Sequence, residues 1–225
     1  LLHSSNSYIL KMDFKDFFPS ITPGLLFEEC RKQNIFFSKE DQTLIANFLF
    51  WKKKHARKLV LSIGAPTSPF ISNVIMYSFD AVINEYCRDF GITYSRYADD
   101  LTFSTNKPGV LSKFPKIVSQ KLNFLYRKSI RINTEKTIFV SKACSRKITG
   151  LTITNENKVS IGRSKKRQIL AMVHQYGLGK ITDSEEVEKL KGIVNFSIYI
   201  DPEFLNVLIR KYGKDLISKL YKIKS

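Results

Sequence analysis

Two acidic side chains stand side by side in the stretch YSRYADDLTFS, Tyr94 to Ser104, between two runs that alternate like β-strands. Such a segment folds as a hairpin, with Asp99 and Asp100 at its tip. At about 4 Å, like charges repel by ~1 kcal/mol in water and ~4 kcal/mol at a partly screened protein surface. A divalent cation would offset that cost. The plainer reading is a type I′ turn, in which Asp tolerates unusual backbone angles. An adjacent Asp pair is nearly expected by chance in 225 residues, so the pair alone does not decide between them.

A third carboxylate sharpens the expectation. SYILKMDF, Ser7 to Phe14, reads as an apolar strand that delivers Asp13 at its end, and Pro19 in DFFPSI turns the chain beyond it. If this strand lies beside the hairpin, three acidic groups converge on one small volume. Mg²⁺ is typically held by one or two carboxylates together with water and substrate phosphates. Two such ions about 3.5–4 Å apart form the clamp of polymerases and nucleases.

The charge balance points to the same class of partner. Thirty-seven Lys and Arg against twenty Asp and Glu leave a net charge of +17, which calls for a polyanion, nucleic acid before membrane. No apolar run approaches the ~20 residues of a bilayer span, and no secretory signal pattern opens the chain. Cys30, Cys87 and Cys144 lie far apart and are odd in number, as reduced thiols in a cytoplasmic protein would be. The first residue is Leu1 rather than Met, which leaves room for an upstream part.

Punctuation along the chain sets the expected elements. LLFEECRKQ reads as a short helix, and SKEDQTLIANFLFW as a second, with Ser38 as cap and Asp41 three residues on. GAPTSP, Gly64 to Pro69, is a turn that opens a helix running to Phe90 and ended by Gly91. A helix over Leu111–Lys128 leads to strands at IRIN and TIFVS, and KITGLTIT with KVSIG forms a further hairpin. From Ser164 on the pattern is all-helical, with Gly177 and Gly179 as stops, Thr182 and Glu185 as a capping box, and Asp201-Pro202 as a helix start. Val187, Leu190, Val194, Phe196 and Ile198 would pack these helices together. A boundary near residue 162 therefore separates an α+β part from a basic helical part.

KMDFKDFFPSI, GAPTSPFISN and YADD occur in the order and rough spacing of motifs A, B and C of reverse transcriptases, and the likeness covers most of residues 7–163. Within that family the chain resembles the bacterial retron enzymes in SRYADDLTFS, in ITG (Ile148–Gly150) near their Val-Thr-Gly triplet, and in its basic C-terminal region. His3 stands at the distance of the histidine in their Asn-Ala-x-x-His pattern. The resemblance implies a polymerase palm over residues 1–162, with antiparallel sheet, packed helices and only partial fingers, and an all-helical basic thumb over 163–225. It implies that Asp13, Asp99, Asp100 and the Phe14 carbonyl hold two Mg²⁺ ions. Phe18 would be the steric gate against ribonucleotides, and Asp16 and Phe17 would offer backbone amides to the triphosphate. Gly64 would lie where the templating pair comes close, after Ile63 in place of the usual Gln; Ser68 and Asn73 would begin the helix supporting the template. Lys136 would protonate the pyrophosphate leaving group.

Basic runs supply the remaining candidates. Lys52, Lys53, Lys54, His55, Arg57 and Lys58 follow Trp51; Arg163, Lys165, Lys166 and Arg167 crowd the start of the helical part; and further cations recur from Arg210 to Lys224. Cations at a helix start oppose its dipole, so the cluster at 163–167 is expected to meet an external anion. By resemblance, the partners are a structured noncoding RNA that serves as template and primer, deoxynucleoside triphosphates, the RNA–DNA duplex formed, and an effector protein. Synthesis would begin at an RNA 2′-hydroxyl, in a setting of defence against phage. Two other readings stay open: a reverse transcriptase of group II intron or phage-defence type, and an inactive polymerase fold that only binds RNA.

Overall fold

The computed structural model describes residues 2–55 and 57–221. Its fold is α+β, in two compact units, Leu2–Cys144 and the chain from Ser145 on.

In the first unit, β1 (Tyr8–Lys15) leads through the single turn α1 (Phe17–Ser20) to α2 (Pro23–Lys32) and α3 (Lys39–Leu49). The short hairpin β2 (Trp51–Lys52) and β3 (Leu59–Val60) precedes α4 (Ser68–Ile75) and α5 (Tyr77–Phe90). Then come β4 (Thr93–Tyr97), β5 (Asp100–Thr105), a 3₁₀ turn, α6 (Phe114–Tyr126) and β6 (Arg131–Ser141). The principal sheet has the order β4-β5-β1-β6, and every neighbouring pair is antiparallel.

Alternation along β1 divides its two faces. Leu10, Met12 and Phe14 are buried in a core with Phe79, Ile83, Phe103, Phe114 and Leu122. Lys11, Asp13 and Lys15 occupy the other face. Burying each of these apolar side chains contributes about 1.5–3 kcal/mol, so the central strand is firmly registered and its acidic end is fixed.

The helix expected from Pro69 to Phe90 is two. It breaks at the fully buried Met76, whose ψ is 0°. Glu29 on α2, only 1% exposed, accepts hydrogen bonds from the Ser78 N–H and hydroxyl, so a buried carboxylate completes the first turn of α5. Ser38 caps α3 as expected, accepting the Asp41 N–H at 3.0 Å. IRIN, from Arg131 on, and TIFVS are parts of one strand, β6, with an irregularity where it passes β1.

The second unit begins with a three-stranded sheet, β7 (Arg146–Ile148), β8 (Leu151–Ile153) and β9 (Val159–Ser160). Thr149 and Gly150 both have positive φ, 45° and 83°, as a type I′ turn requires. Four helices follow among the described residues: α7 (Arg163–Gly177), α8 (Ser184–Ile200), α9 (Glu203–Tyr212) and α10 (Lys214–Leu220). The division falls at Ser145 instead of near 162, because Leu151 and Ile161 pack with Ile169, Val173, Leu190 and Val194.

Three expectations for these helices are corrected. Asp183 caps α8, accepting from the Glu185 and Glu186 N–H groups, so the Thr182 capping box does not form. Asp201 ends α8, and its side chain pairs with Lys166 at 2.6 Å instead of capping α9. Phe196 is 53% exposed and turned away from the core that Leu190, Val194 and Ile198 build. Of the basic tail, Lys222 and Lys224 lie outside the described residues.

Candidate active site

Asp13 and Asp100 are direct partners across the β1–β5 ladder. Residues so paired share a sheet face with Cβ atoms about 4.5–5.5 Å apart. Tyr97 pairs with Asp100, so Ala98 and Asp99 form the two-residue loop between β4 and β5. The left-handed residue of that loop is Ala98, at φ 52°, and neither aspartate has a positive φ. The type I′ reading, in which Asp serves the turn, therefore fails. The Phe14 N–H donates to the Asp99 carbonyl at 3.1 Å, which ties β1 to the loop and brings all three acidic residues to one end of the sheet.

The irregularity in β6 adds a cation. Lys11 pairs with Ile138 and Asp13 with Asn133, so Met12 on β1 stands opposite Thr134–Thr137 on β6. Lys136 lies in this bulge, and its ammonium donates to Asp13 Oδ2 at 3.0 Å. The bond to Asp13 raises the Lys136 pKa. Asp100 is also shifted upward, first by burial and then by Asp99, with Asp13 adding to the rise and Lys11 and Lys136 opposing it. Burial thus begins the rise at Asp100, the two other aspartates add to it, and the two lysines offset it in part.

Among the described residues, no three carboxylate, imidazole or thiol groups close on a single point as a metal cage. A Mg²⁺ site of the substrate-sharing kind needs no such cage, since waters and phosphates complete it. The residues fit that kind of site: two carboxylates face each other, a third is on the adjoining loop, and an ammonium already neutralises one of them.

The neighbouring loop separates two aromatic roles. Phe17 is buried and stacks on Phe14 with ring centroids 4.9 Å apart, whereas Phe18 is only half-buried. Asp16 is exposed with φ 47°. Ile63 is 74% exposed. Gly64 has φ 88°, and a Cβ there would meet nothing within 4 Å, so backbone conformation and not crowding by the protein requires glycine. Ser68 hydrogen-bonds the Ser62 carbonyl at 2.6 Å and pins the turn to the start of α4.

Lys52, Lys53, Lys54 and Arg57 are exposed on the β2–β3 hairpin. In the second unit, Arg163, Lys165 and Arg167 are exposed on the first turns of α7. Lys166 differs: it is paired with Asp201 and lies 5.3 Å above the Phe204 ring, a structural role where a free cation was expected.

Sequence reasoning missed two features, a basic pocket and an inward arginine, and named His3 without its burial. A cavity of about 640 Å³ in the first unit is lined by Lys15, Lys58, Arg127, Lys128 and Arg131, with Asp16 as its one acid. Lys15 and Arg131 are ladder partners, so this basic pocket continues the sheet face that carries Asp13. His3 is buried between Ser104 and Ser95, each 2.7 Å from a ring nitrogen, and burial lowers its pKa to about 4. Arg96 is folded inward onto Asp80. An arginine two residues before the turn of an otherwise half-buried strand was the available signal.

A four-stranded antiparallel sheet backed by helices, with carboxylates at the end of its central strand and on the adjoining hairpin, is a polymerase palm. The family described as reverse transcriptase (RNA-dependent DNA polymerase) matches residues 2–153. Retron Ec83 reverse transcriptase of Escherichia coli is 42% identical over 223 residues, covering 98% of this chain and 71% of that protein. Retron Ec86 reverse transcriptase of the same organism is 34% identical, with coverage of 96% and 65%. Retron Mx162 reverse transcriptase of Myxococcus xanthus is 31% identical, with 90% and 46%. Among solved structures, telomerase from Candida albicans in complex with the TWJ fragment of telomeric RNA superposes with TM-score 0.52 at 12% identity, covering 96% of this chain and 45% of that one. At that identity the likeness is one of fold. The chain belongs to the reverse transcriptases, and within them to the retron group; it spans about two thirds of its Escherichia coli relatives. No helix among the described residues is long and apolar enough to cross a membrane.

Proposed function

We propose that this chain copies part of a structured noncoding RNA into DNA, adding deoxynucleotides at Asp13, Asp99 and Asp100. The observation that carries the reading is the direct pairing of Asp13 with Asp100 beside the loop that bears Asp99. Asp13, Asp99, Asp100 and the Phe14 carbonyl would hold two Mg²⁺ ions. When bound, the ions supply acidity to an attacking hydroxyl and stabilise charge on the phosphoryl group.

The chain's own residues do the rest. The amides of Asp16 and Phe17 meet the phosphates of the incoming nucleotide. The half-buried Phe18 ring excludes a 2′-hydroxyl by bulk. Lys136, bound to Asp13 before substrate arrives, is placed to give a proton to the leaving pyrophosphate. Lys15, Lys58, Arg127, Lys128 and Arg131, with the β2–β3 loop and the start of α7, neutralise phosphates without reading sequence. In the retron reading, the first nucleotide joins an RNA 2′-hydroxyl.

The test is DNA synthesis on an RNA template with Mg²⁺, comparing the chain with Asp99→Asn. Loss of synthesis with RNA binding kept supports the assignment. Equal synthesis by the two proteins would refute it.

A further inference from the structure

We infer that Arg96, Asp80 and Asn73 form a positioning clamp for the loop that carries Asp99, and that the rate of nucleotide addition depends on it. The inference rests on the polymerase reading of that loop.

The clamp joins three elements. Arg96 on β4 donates through Nε to both Asp80 oxygens, at 2.9 and 3.1 Å, and through Nη2 to Asp80 Oδ2 at 2.6 Å. Its remaining terminal nitrogen, Nη1, donates to Asn73 Oδ1 at 3.0 Å and to the Ala98 carbonyl at 3.1 Å. The Tyr94 hydroxyl donates to Asp80 Oδ1 at 2.7 Å and gives the carboxylate a second anchor. Asp80 comes from α5 and Asn73 from α4.

Geometry makes the Ala98 contact consequential. Ala98 has φ 52°, a conformation glycine takes freely and alanine resists. Two successive carbonyls of the loop are held by different elements, Ala98 by the Arg96 guanidinium of β4 and Asp99 by the Phe14 N–H of β1. The peptide planes before and after Asp99 are thereby oriented. A planar fork is needed to reach carboxylate, amide and carbonyl at once, and lysine cannot supply it.

The decisive variant is Arg96→Lys, which keeps the charge and loses the fork. We expect kcat to fall by about 10²-fold, the scale of a 1 Å misplacement, with the deoxynucleotide KM nearly unchanged. Ala98→Gly, which relaxes the strained residue, should restore part of that loss in the Arg96→Lys background. Asn73→Ala should add little to Arg96→Lys, because both remove the same linkage. A wild-type kcat in Arg96→Lys would overturn the inference. So would a loss that Ala98→Gly does not repair and that follows the melting temperature, since Arg96 would then only hold the fold. If the wild-type chain makes no DNA, the polymerase reading fails separately. Mn²⁺ binding still reads the clamp: weaker affinity in Arg96→Lys supports it, and equal affinity overturns it.

Discussion

Asp13 and Asp100 face one another across an antiparallel ladder although 86 residues of chain lie between them. Their approach is enforced by the apolar face of the same strands. Leu10, Met12 and Phe14 on β1, with Leu101 and Phe103 on β5, are buried in one core. A one-residue slip would bring the whole polar face of β1 inward. The core thus sets the carboxylates opposite one another at an electrostatic cost, the usual relation between a functional site and the fold that carries it.

That cost is measurable through Asp100. Its pKa is raised, by burial first, so folding favours the protonated form. The stability this brings is present below the ordinary carboxylate range and is lost as pH rises through the folded value. In chelator at neutral pH, Asp100→Asn should therefore melt above the wild-type chain. The difference should shrink as the pH falls below about 4. Thermal melts across pH check this; a variant less stable at neutral pH would contradict it.

The Phe17 and Phe18 rings should separate stability from selectivity. Phe17 is buried against Phe14, so Phe17→Ala should cost about 3–5 kcal/mol in denaturant unfolding. Phe18→Ala should cost less and should admit ribonucleotides. Ribonucleotide incorporation unchanged in Phe18→Ala would reduce that ring to packing.

Lys136 competes for an oxygen of Asp13. Lys136→Ala should tighten Mn²⁺ binding by freeing that oxygen, yet slow nucleotide addition by about 10²-fold through loss of a proton donor. Tighter binding with an unchanged rate would leave Lys136 an electrostatic stand-in only.

Salt dependence distinguishes phosphate contacts from structural cations. Lys15→Ala, Lys128→Ala and Lys165→Ala should each reduce the slope of log affinity for RNA against log salt by about 0.7–0.9. Lys166→Ala should lower the melting temperature and leave the slope alone, because Lys166 is engaged with Asp201.

Local patterns along the chain foretold much of this. The apolar β1, the β4–β5 hairpin, the Ser38 cap and the Gly91 stop are written in single segments, and the motif order led to the three aspartates. What stayed hidden depends on partners distant in sequence. The break at Met76 goes with the Glu29 carboxylate that reaches the next helix from α2. The bulge that lifts Lys136 to Asp13 is a mismatch between two strands, visible in neither alone. Asp201 looked like a cap because its bond to Lys166 spans 35 positions. The basic pocket gathers cations from three separate segments, and only Lys58 among them belongs to a run that the sequence shows.

The most direct measurement is the number of Mn²⁺ ions bound by the chain with an RNA–DNA duplex and an unreactive deoxynucleotide analogue, by calorimetry or magnetic resonance. Two ions in the wild-type chain, and fewer in both Asp13→Asn and Asp100→Asn, is the predicted result. The same stoichiometry and affinity in all three proteins would contradict it.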